Sequence, residues 1–222
     1  MHKLDHIVFG ASSLEEGTNF IERKLGIKLS DIGYHDFMGT HNRVIKIDKD
    51  IYLEVIAINP ASQAPNINRW FNLDSSKLQK QLKKSPHVIG YVIETNDKEI
   101  TKHYSTPIKA SRESYKWEFS MPNIESKLFE EDLIINGIIP SLITWESPKP
   151  ILQMKDNQLS LNGFQVQITE DQLSYQKLVK FIGSSQKITI LTQNKFFNIK
   201  HDEYPKIEIS IKDNNTNKII TL

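Results

Sequence analysis

A carboxylate in the middle of an apolar strand is costly to bury unless something compensates its charge. Glu54 holds such a position in Tyr52-Leu53-Glu54-Val55-Ile56-Ala57-Ile58. Its chemistry there would be proton transfer or cation binding; a salt bridge to Arg43 is the purely structural alternative. His6, inside Leu4-Asp5-His6-Ile7-Val8-Phe9-Gly10, is either a hydrogen-bonded core or rim histidine or a site residue. An imidazole nitrogen and a carboxylate oxygen together suit zinc, iron, nickel or manganese. His41, just ahead of a strand, could supply a metal ligand, a general base or a loop hydrogen bond, and its neighbours Asn42 and Arg43 would orient a substrate carboxylate or carbonyl. His35, in the same polar loop, is expected to face solvent. Trp70, Trp117 and Trp145 are candidates for the walls of a small-molecule pocket, or for ordinary packing.

These groups are far apart in the chain, so strands must bring them together. Leu4 to Gly10 is a short strand-like run, and Ser12-Ser13 followed by Glu15-Glu16 is a helix-start signal. The spacing of Phe20, Ile21 and Leu25 predicts an amphipathic helix from about Leu14 to Lys24, with Gly26 at its C-terminal cap. A weak strand near Lys28 to Gly33 follows, then Arg43 to Ile47 and Ile51 to Ile58, the last two joined across Asp48-Lys49-Asp50. The order reads βαβββ. Alternate strand residues share a face, which groups His6 with Leu4 and Val8, and Glu54 with Tyr52 and Ile56.

A Pro- and Asn-rich connection after Asn59 and a Lys-rich helix near Ser75 to Lys84 read as a linker. The same order then returns: a strand at His87 to Thr95, a short helix near Asp97 to Tyr104, and strands near Ile108 to Arg112, Tyr115 to Met121 and Ile138 to Trp145. From Leu159 a third, degenerate pass is expected, with a strand at Leu161 to Ile168, a helix at Glu170 to Ile182, and strands at Lys187 to Leu191, Lys206 to Ile211 and Lys218 to Leu222. The chain thus divides into a first module over 1–60, a linker over 61–86, a second module over 87–150 and an α/β extension over 151–222. The extension could serve as an interaction element.

The 222 residues can bury a sizeable core, and 38% apolar with 25% charged content is that of an ordinary globular protein. Lys and Arg number 28 against 27 Asp and Glu, and no basic stripe stands out, so nucleic acid is not an expected partner. The absence of cysteine excludes disulfides, thiolate zinc sites and a cysteine nucleophile, and fits a reducing compartment. The opening residues run straight into a strand pattern without a secretory signal, making the cytoplasm the expected location. No apolar run approaches the roughly 20 residues of a membrane-spanning helix, so no membrane partner is expected. No Gly-rich phosphate loop occurs, and His201-Asp202-Glu203 lacks zinc-protease spacing.

Leu4-Asp5-His6-Ile7-Val8-Phe9-Gly10, Gly39-Thr40-His41-Asn42 and Tyr52-Leu53-Glu54-Val55-Ile56 together resemble the glyoxalase-like domain family of the vicinal-oxygen-chelate superfamily, which includes glyoxalases, bleomycin resistance proteins and dioxygenases. Arg69-Trp70-Phe71 and Ile139-Pro140-Ser141-Leu142-Ile143-Thr144-Trp145 resemble later blocks of the same family. The resemblance implies an α+β fold of repeated βαβββ modules forming an incomplete, curved, mixed β-barrel. It further implies a divalent metal held by side chains from the first and last strands of each module, acting as a Lewis acid on two neighbouring substrate oxygens. Carried over to this chain, His6 and Glu54 are the first module's metal ligands, with His41 a third candidate and Glu54 or His41 moving the proton. In the second module Gly90 falls opposite His6, and Ser141 or Leu142 opposite Glu54, none a good ligand; His87 and Glu146 stand nearby but out of register. Two readings stay open: a metal-assisted lyase, isomerase or dioxygenase acting on a small oxygenated molecule, and a metal-free protein that binds one. Modules of this superfamily often pair between chains, which would make a homodimer.

Overall fold

The first helix forms where its signals place it. The Ser13 hydroxyl accepts from the Glu16 amide, Glu15 and Glu16 sit at the positive end, Arg23 and Lys24 at the negative end, and Gly26 closes it with φ 70° and an N–H to the Glu22 carbonyl. In this computed structural model, which describes residues 2–126, 129–169, 188–193 and 206–222, that helix is α1 (Leu14–Leu25). It follows β1 (Lys3–Gly10) and precedes β2 (Gly33–His35), β3 (Thr40–Lys46) and β4 (Tyr52–Ile58), giving the expected βαβββ order. The second pass comprises β5 (His87–Glu94), α3 (Lys98–Thr101), β6 (Ile108–Arg112), β7 (Tyr115–Ser120) and β8 (Ser141–Trp145), with α2 (Ser76–Leu82) before it and α4 (Glu131–Ile135) inside it.

Both passes build one curved, nearly closed sheet of eight strands in the order β2-β3-β4-β1-β5-β8-β7-β6. β1 pairs parallel with β4 and antiparallel with β5, and β5 pairs parallel with β8. Within the repeat Gly90 stands where His6 does and Ser141 where Glu54 does, since β5 meets β8 in the register in which β1 meets β4. One face of the sheet buries Ile7, Phe9, Leu53, Val55 and Tyr91, most of them with no exposure; each contributes about 1.5–3 kcal/mol relative to an exposed side chain. The other face carries Val8, Ile56, Trp70, Trp117, Phe119 and Ile143.

The extension forms a second sheet, ordered β10-β9-β11-β12, from β9 (Leu159–Thr169), β10 (Thr189–Gln193), β11 (Lys206–Asp213) and β12 (Ile219–Thr221). β11 and β12 pair antiparallel as a hairpin, and Phe164 packs edge-on against Tyr91 with ring centroids 5.0 Å apart. The helix expected over Glu170 to Ile182 lies outside the described residues.

Local differences from the sequence reading have local causes. The strand expected near Lys28 to Gly33 forms later, as β2, and most of the presumed loop from Tyr34 to Asn42 is its hairpin with β3. The last strand of the second pass begins at Ser141 rather than Ile138. Gly137 adopts φ 71° and the amides of Ile138 and Ile139 both donate back to the Leu133 carbonyl, closing the end of α4 and leaving no ladder bond for those residues.

Candidate functional site

Glu54 is placed by its two neighbouring strands. Val8 of β1 and Val44 of β3 lie directly beside it in register, which sets His6 and Asn42 diagonally on the same face. The Asn42 amide donates to Glu54 Oε1 at 2.6 Å, and His6 Nε2 lies 3.5 Å from Oε2. On the far side of the imidazole, Nδ1 donates to Asp5 Oδ1 at 2.7 Å. Asp5 and His6 are chain neighbours, yet both reach this row because the pairing of β1 with β5 slips between Leu4 and His6. The second Asp5 oxygen accepts the Trp145 indole N–H at 2.9 Å and lies 3.6 Å from Lys149 Nζ, which also pairs with Glu94. Tyr52 stacks on the His6 ring at 4.6 Å.

Asp5, His6 and Glu54 are all buried, at 2%, 4% and 6% exposure, so their charges survive only by mutual support. Burial alone would push the His6 imidazole down, but the hydrogen bonds and charges of Asp5 and Glu54 outweigh it and hold the pKa at about 9. Burial likewise pushes Glu54 up, and the hydrogen bond and charge of His6, with help from His35 and Asn42, bring it to about 2. At neutral pH the row is carboxylate, imidazolium, carboxylate. Burial and the charges of Asp5 and Glu54 raise the Tyr52 phenol well above its ordinary range, keeping it neutral.

His6 and Glu54, with Asn42, form the floor of an open cavity of about 50 Å³. Its walls are mostly aromatic and come from the second half of the chain as well as the first: Trp70, Phe71, Trp117, Phe119 and Trp145. Arg112, at the end of edge strand β6, crosses to the opposite edge of the sheet, where Nη1 donates to Asn42 Oδ1 at 3.2 Å and lies 3.5 Å from His35 Nε2. That contact closes the curve of the sheet over the cavity.

Of the residues singled out from the sequence, the structure brings His6, Glu54, Asn42, Trp70, Trp117 and Trp145 to this cavity. It does not bring His41 or Arg43, which alternate with Asn42 and Val44 and project from the other face of β3. Among the described residues His41 Nε2 is buried there without a hydrogen-bond partner, and burial lowers the ring's pKa. Arg43 binds the Ser30 carbonyl, so the bland salt bridge to Glu54 does not form. His35, read as solvent-facing, is 6% exposed, edge-on to Trp70 and lines the cavity. Burial drives its pKa to about 4, so it is neutral; Nδ1 then donates to Thr40 Oγ1 while Nε2 faces the Arg112 donor. Asp5, Tyr52 and Arg112 are further polar members that sequence reasoning passed over.

The donor set decides how well a metal would fit. His6 Nε2 and Glu54 Oε2 supply two donors from the first module. Across the sheet His6 faces Val92, and the cavity wall beyond is Ile143, Trp117 and Phe119. Gly90 and Ser141, the repeat's counterparts of His6 and Glu54, line a separate hollow on the other side of Phe71, and neither is a strong ligand. Among the described residues no group of three or more His, Asp or Glu side chains is arranged to hold a metal ion. The residues present do not fit a four-ligand centre with one donor pair from each module.

No helix among the described residues is long and apolar enough to cross a membrane. The curved sheet has solved counterparts. A hypothetical protein from Staphylococcus aureus is similar over 88% of this chain and 87% of its own, with a TM-score of 0.60 at 16% identity. A methylmalonyl-CoA epimerase from Streptomyces coelicolor, solved with 2-nitronate-propionyl-CoA, is similar over 65% of this chain and 97% of its own, with a TM-score of 0.42 at 15% identity. A hypothetical protein from Bacillus halodurans covers 67% of this chain and 96% of its own, with a TM-score of 0.42 at 14% identity. No curated protein matches the sequence. Residues 4–181 match the glyoxalase-like domain family, which is most of the chain, and the protein therefore belongs to that family.

Proposed function

We propose that the cavity over His6 and Glu54 binds a small oxygenated molecule without a resident four-ligand metal centre. The observation that carries this reading is the pairing of a charged, hydrogen-bonded floor from the first module with aromatic walls drawn from the linker and the second. The walls supply apolar contact and exclude water. The His6 imidazolium and the Asn42 amide supply donors in a poorly solvated place, where a hydrogen bond to a ligand oxygen is stronger than in water.

Proton transfer is within the reach of the same groups. Glu54 at a pKa of about 2 is a weak base while His6 holds it. A ligand oxygen that took over the His6 Nε2 hydrogen bond would release the carboxylate, raise its basicity and leave the imidazolium to stabilise the oxygen as negative charge developed there. A lyase or isomerase acting at a carbon next to a carbonyl needs that pair of roles.

Metal analysis of protein purified without a His tag, set beside Glu54→Ala, tests the reading. Substoichiometric metal in both, together with ligand-induced thermal shifts in the presence of EDTA, is the expected result. One divalent ion per chain, lost in Glu54→Ala, would replace it with a metal-assisted lyase, isomerase or dioxygenase in which His6 and Glu54 hold zinc, iron, nickel or manganese.

A further inference from the structure

The charges alternate in sign along a row that runs from behind the cavity into its floor: Glu94, Lys149 and Asp5, then His6, Glu54 and, across the neutral Asn42 amide, Arg112. Every member but the last has an opposite charge on at least one side at close range. Arg112 ends the row without one. Its contacts among the described residues are the Asn42 carbonyl oxygen and the neutral His35 ring, and both are made by Nη1. Nε and Nη2 have no partner among the described residues, so the edge of the guanidinium that forms paired hydrogen bonds with a carboxylate is open.

The surroundings keep this edge available. Arg112 is half-buried and lines both the cavity and the wider cleft outside it, where Lys46 and Lys155 also stand. Asp31 and Glu113 line the same cleft without pairing with the guanidinium. A half-buried guanidinium has lost part of its hydration, and an incoming anion restores what the protein does not supply. Cationic groups around the entrance would also draw an anion towards it.

We infer that the ligand of this cavity is a small carboxylate with a flat, unsaturated body, its carboxylate docked on Nε and Nη2 of Arg112 and a second oxygen directed to His6. This rests on the cavity being the binding site, as proposed above. Between the two ends lie the Asn42 side chain, which touches Arg112 Nη1 and Glu54, and the Glu54 carboxylate, 3.5 Å from His6 Nε2. A small ligand with oxygens at both ends of its body would reach from one to the other, and the aromatic walls suit an unsaturated body.

Salicylate and benzoate, each set against its neutral amide, are suitable probes, followed by calorimetry and by chemical-shift mapping on the wild type, Arg112→Met, Arg112→Lys and Trp117→Ala. The acids are expected to bind at least ten-fold more tightly than salicylamide and benzamide, to weaken with added salt, and to lose this preference in Arg112→Met while the amides bind as before. Arg112→Lys keeps the charge without the paired donors and should fall between the two. Acids and amides binding equally, or acids indifferent to Arg112→Met in a variant that melts like the wild type, would overturn the anion assignment and leave the cavity reading intact. No binding by any of the four probes, or binding unmoved by Trp117→Ala, would overturn both.

Discussion

His6 Nε2 lies 3.5 Å from Glu54 Oε2 because β1 and β4 run parallel and side by side, with His6 in register with Tyr52 and Val8 with Glu54. The pair is held as imidazolium and carboxylate, which makes stability depend on pH at both ends. The folded pKa of His6, about 9, lies above its ordinary 6.5, so its stabilisation is complete below pH 6.5 and lost as pH rises through 9. The folded pKa of Glu54, about 2, lies below 4.5, so its stabilisation is complete above pH 4.5 and lost as pH falls towards 2. A shift of this size in His6 corresponds to about 3 kcal/mol. Melting curves should therefore fall between pH 7 and 10, and NMR of the His6 ring should show a midpoint near 9 that drops in Glu54→Gln. A midpoint near 6.5 in the wild type would refute the buried ion pair.

Trp145 is more than a wall. Its indole N–H donates to Asp5 Oδ2, the carboxylate whose other oxygen holds His6. Trp145→Phe keeps most of the apolar surface and removes the donor, leaving a buried carboxylate one hydrogen bond short. A loss of about 1.5–3 kcal/mol in urea unfolding is expected. Retention of full stability would mean that the other partners of Asp5, Lys149 and Tyr52 among them, satisfy the carboxylate without the indole.

Alternation along β1 and β4 gives the face-mates of His6 and Glu54 before any coordinates, because residues two apart on a strand share a face whatever the tertiary structure. Asn42 reads as a loop residue because the sequence pattern starts the strand at Arg43, whereas β3 begins at Thr40. The same rule, applied one step further, separates His41 from Asn42, and the position of His41 next to a strand start concealed which face it would take. Asp5 offered a signal, an acid beside a histidine in an apolar run, but alternation argued against both reaching one site until the slipped register of β1 on β5 is known. Arg112 and His35 could not have been paired from local pattern at all. They meet only because the two edges of the sheet approach one another as it curves.

His41 supplies a control. Its ring lies on the opposite face of β3 from the cavity, and Nε2 is buried without a partner among the described residues, so an apolar replacement removes an unsatisfied group. His41→Leu should leave stability within about 1 kcal/mol of wild type or raise it, and should leave the His6 titration and the response to small-molecule probes unchanged. A loss of probe binding at unchanged stability would show that His41 contributes to the site despite its place on the other face of β3.

Gly33 tests the closure of the sheet edges. A Cβ at this position would come 2.1 Å from Arg112 Nη1 and 2.4 Å from Asn42 Oδ1, both of them ends of side chains rather than backbone. Its φ is not in the left-handed region, so alanine is tolerated by the backbone itself. Gly33→Ala should therefore displace the guanidinium from Asn42 and His35 with little effect on folding, because Arg112 can swing outwards towards the cleft it already lines. The expected outcome is a melting temperature within a few degrees of wild type together with a loss of discrimination between small acids and their amides as large as that of Arg112→Met. Discrimination surviving in Gly33→Ala would place anion recognition on Arg112 in its outward position, independent of the contact with Asn42.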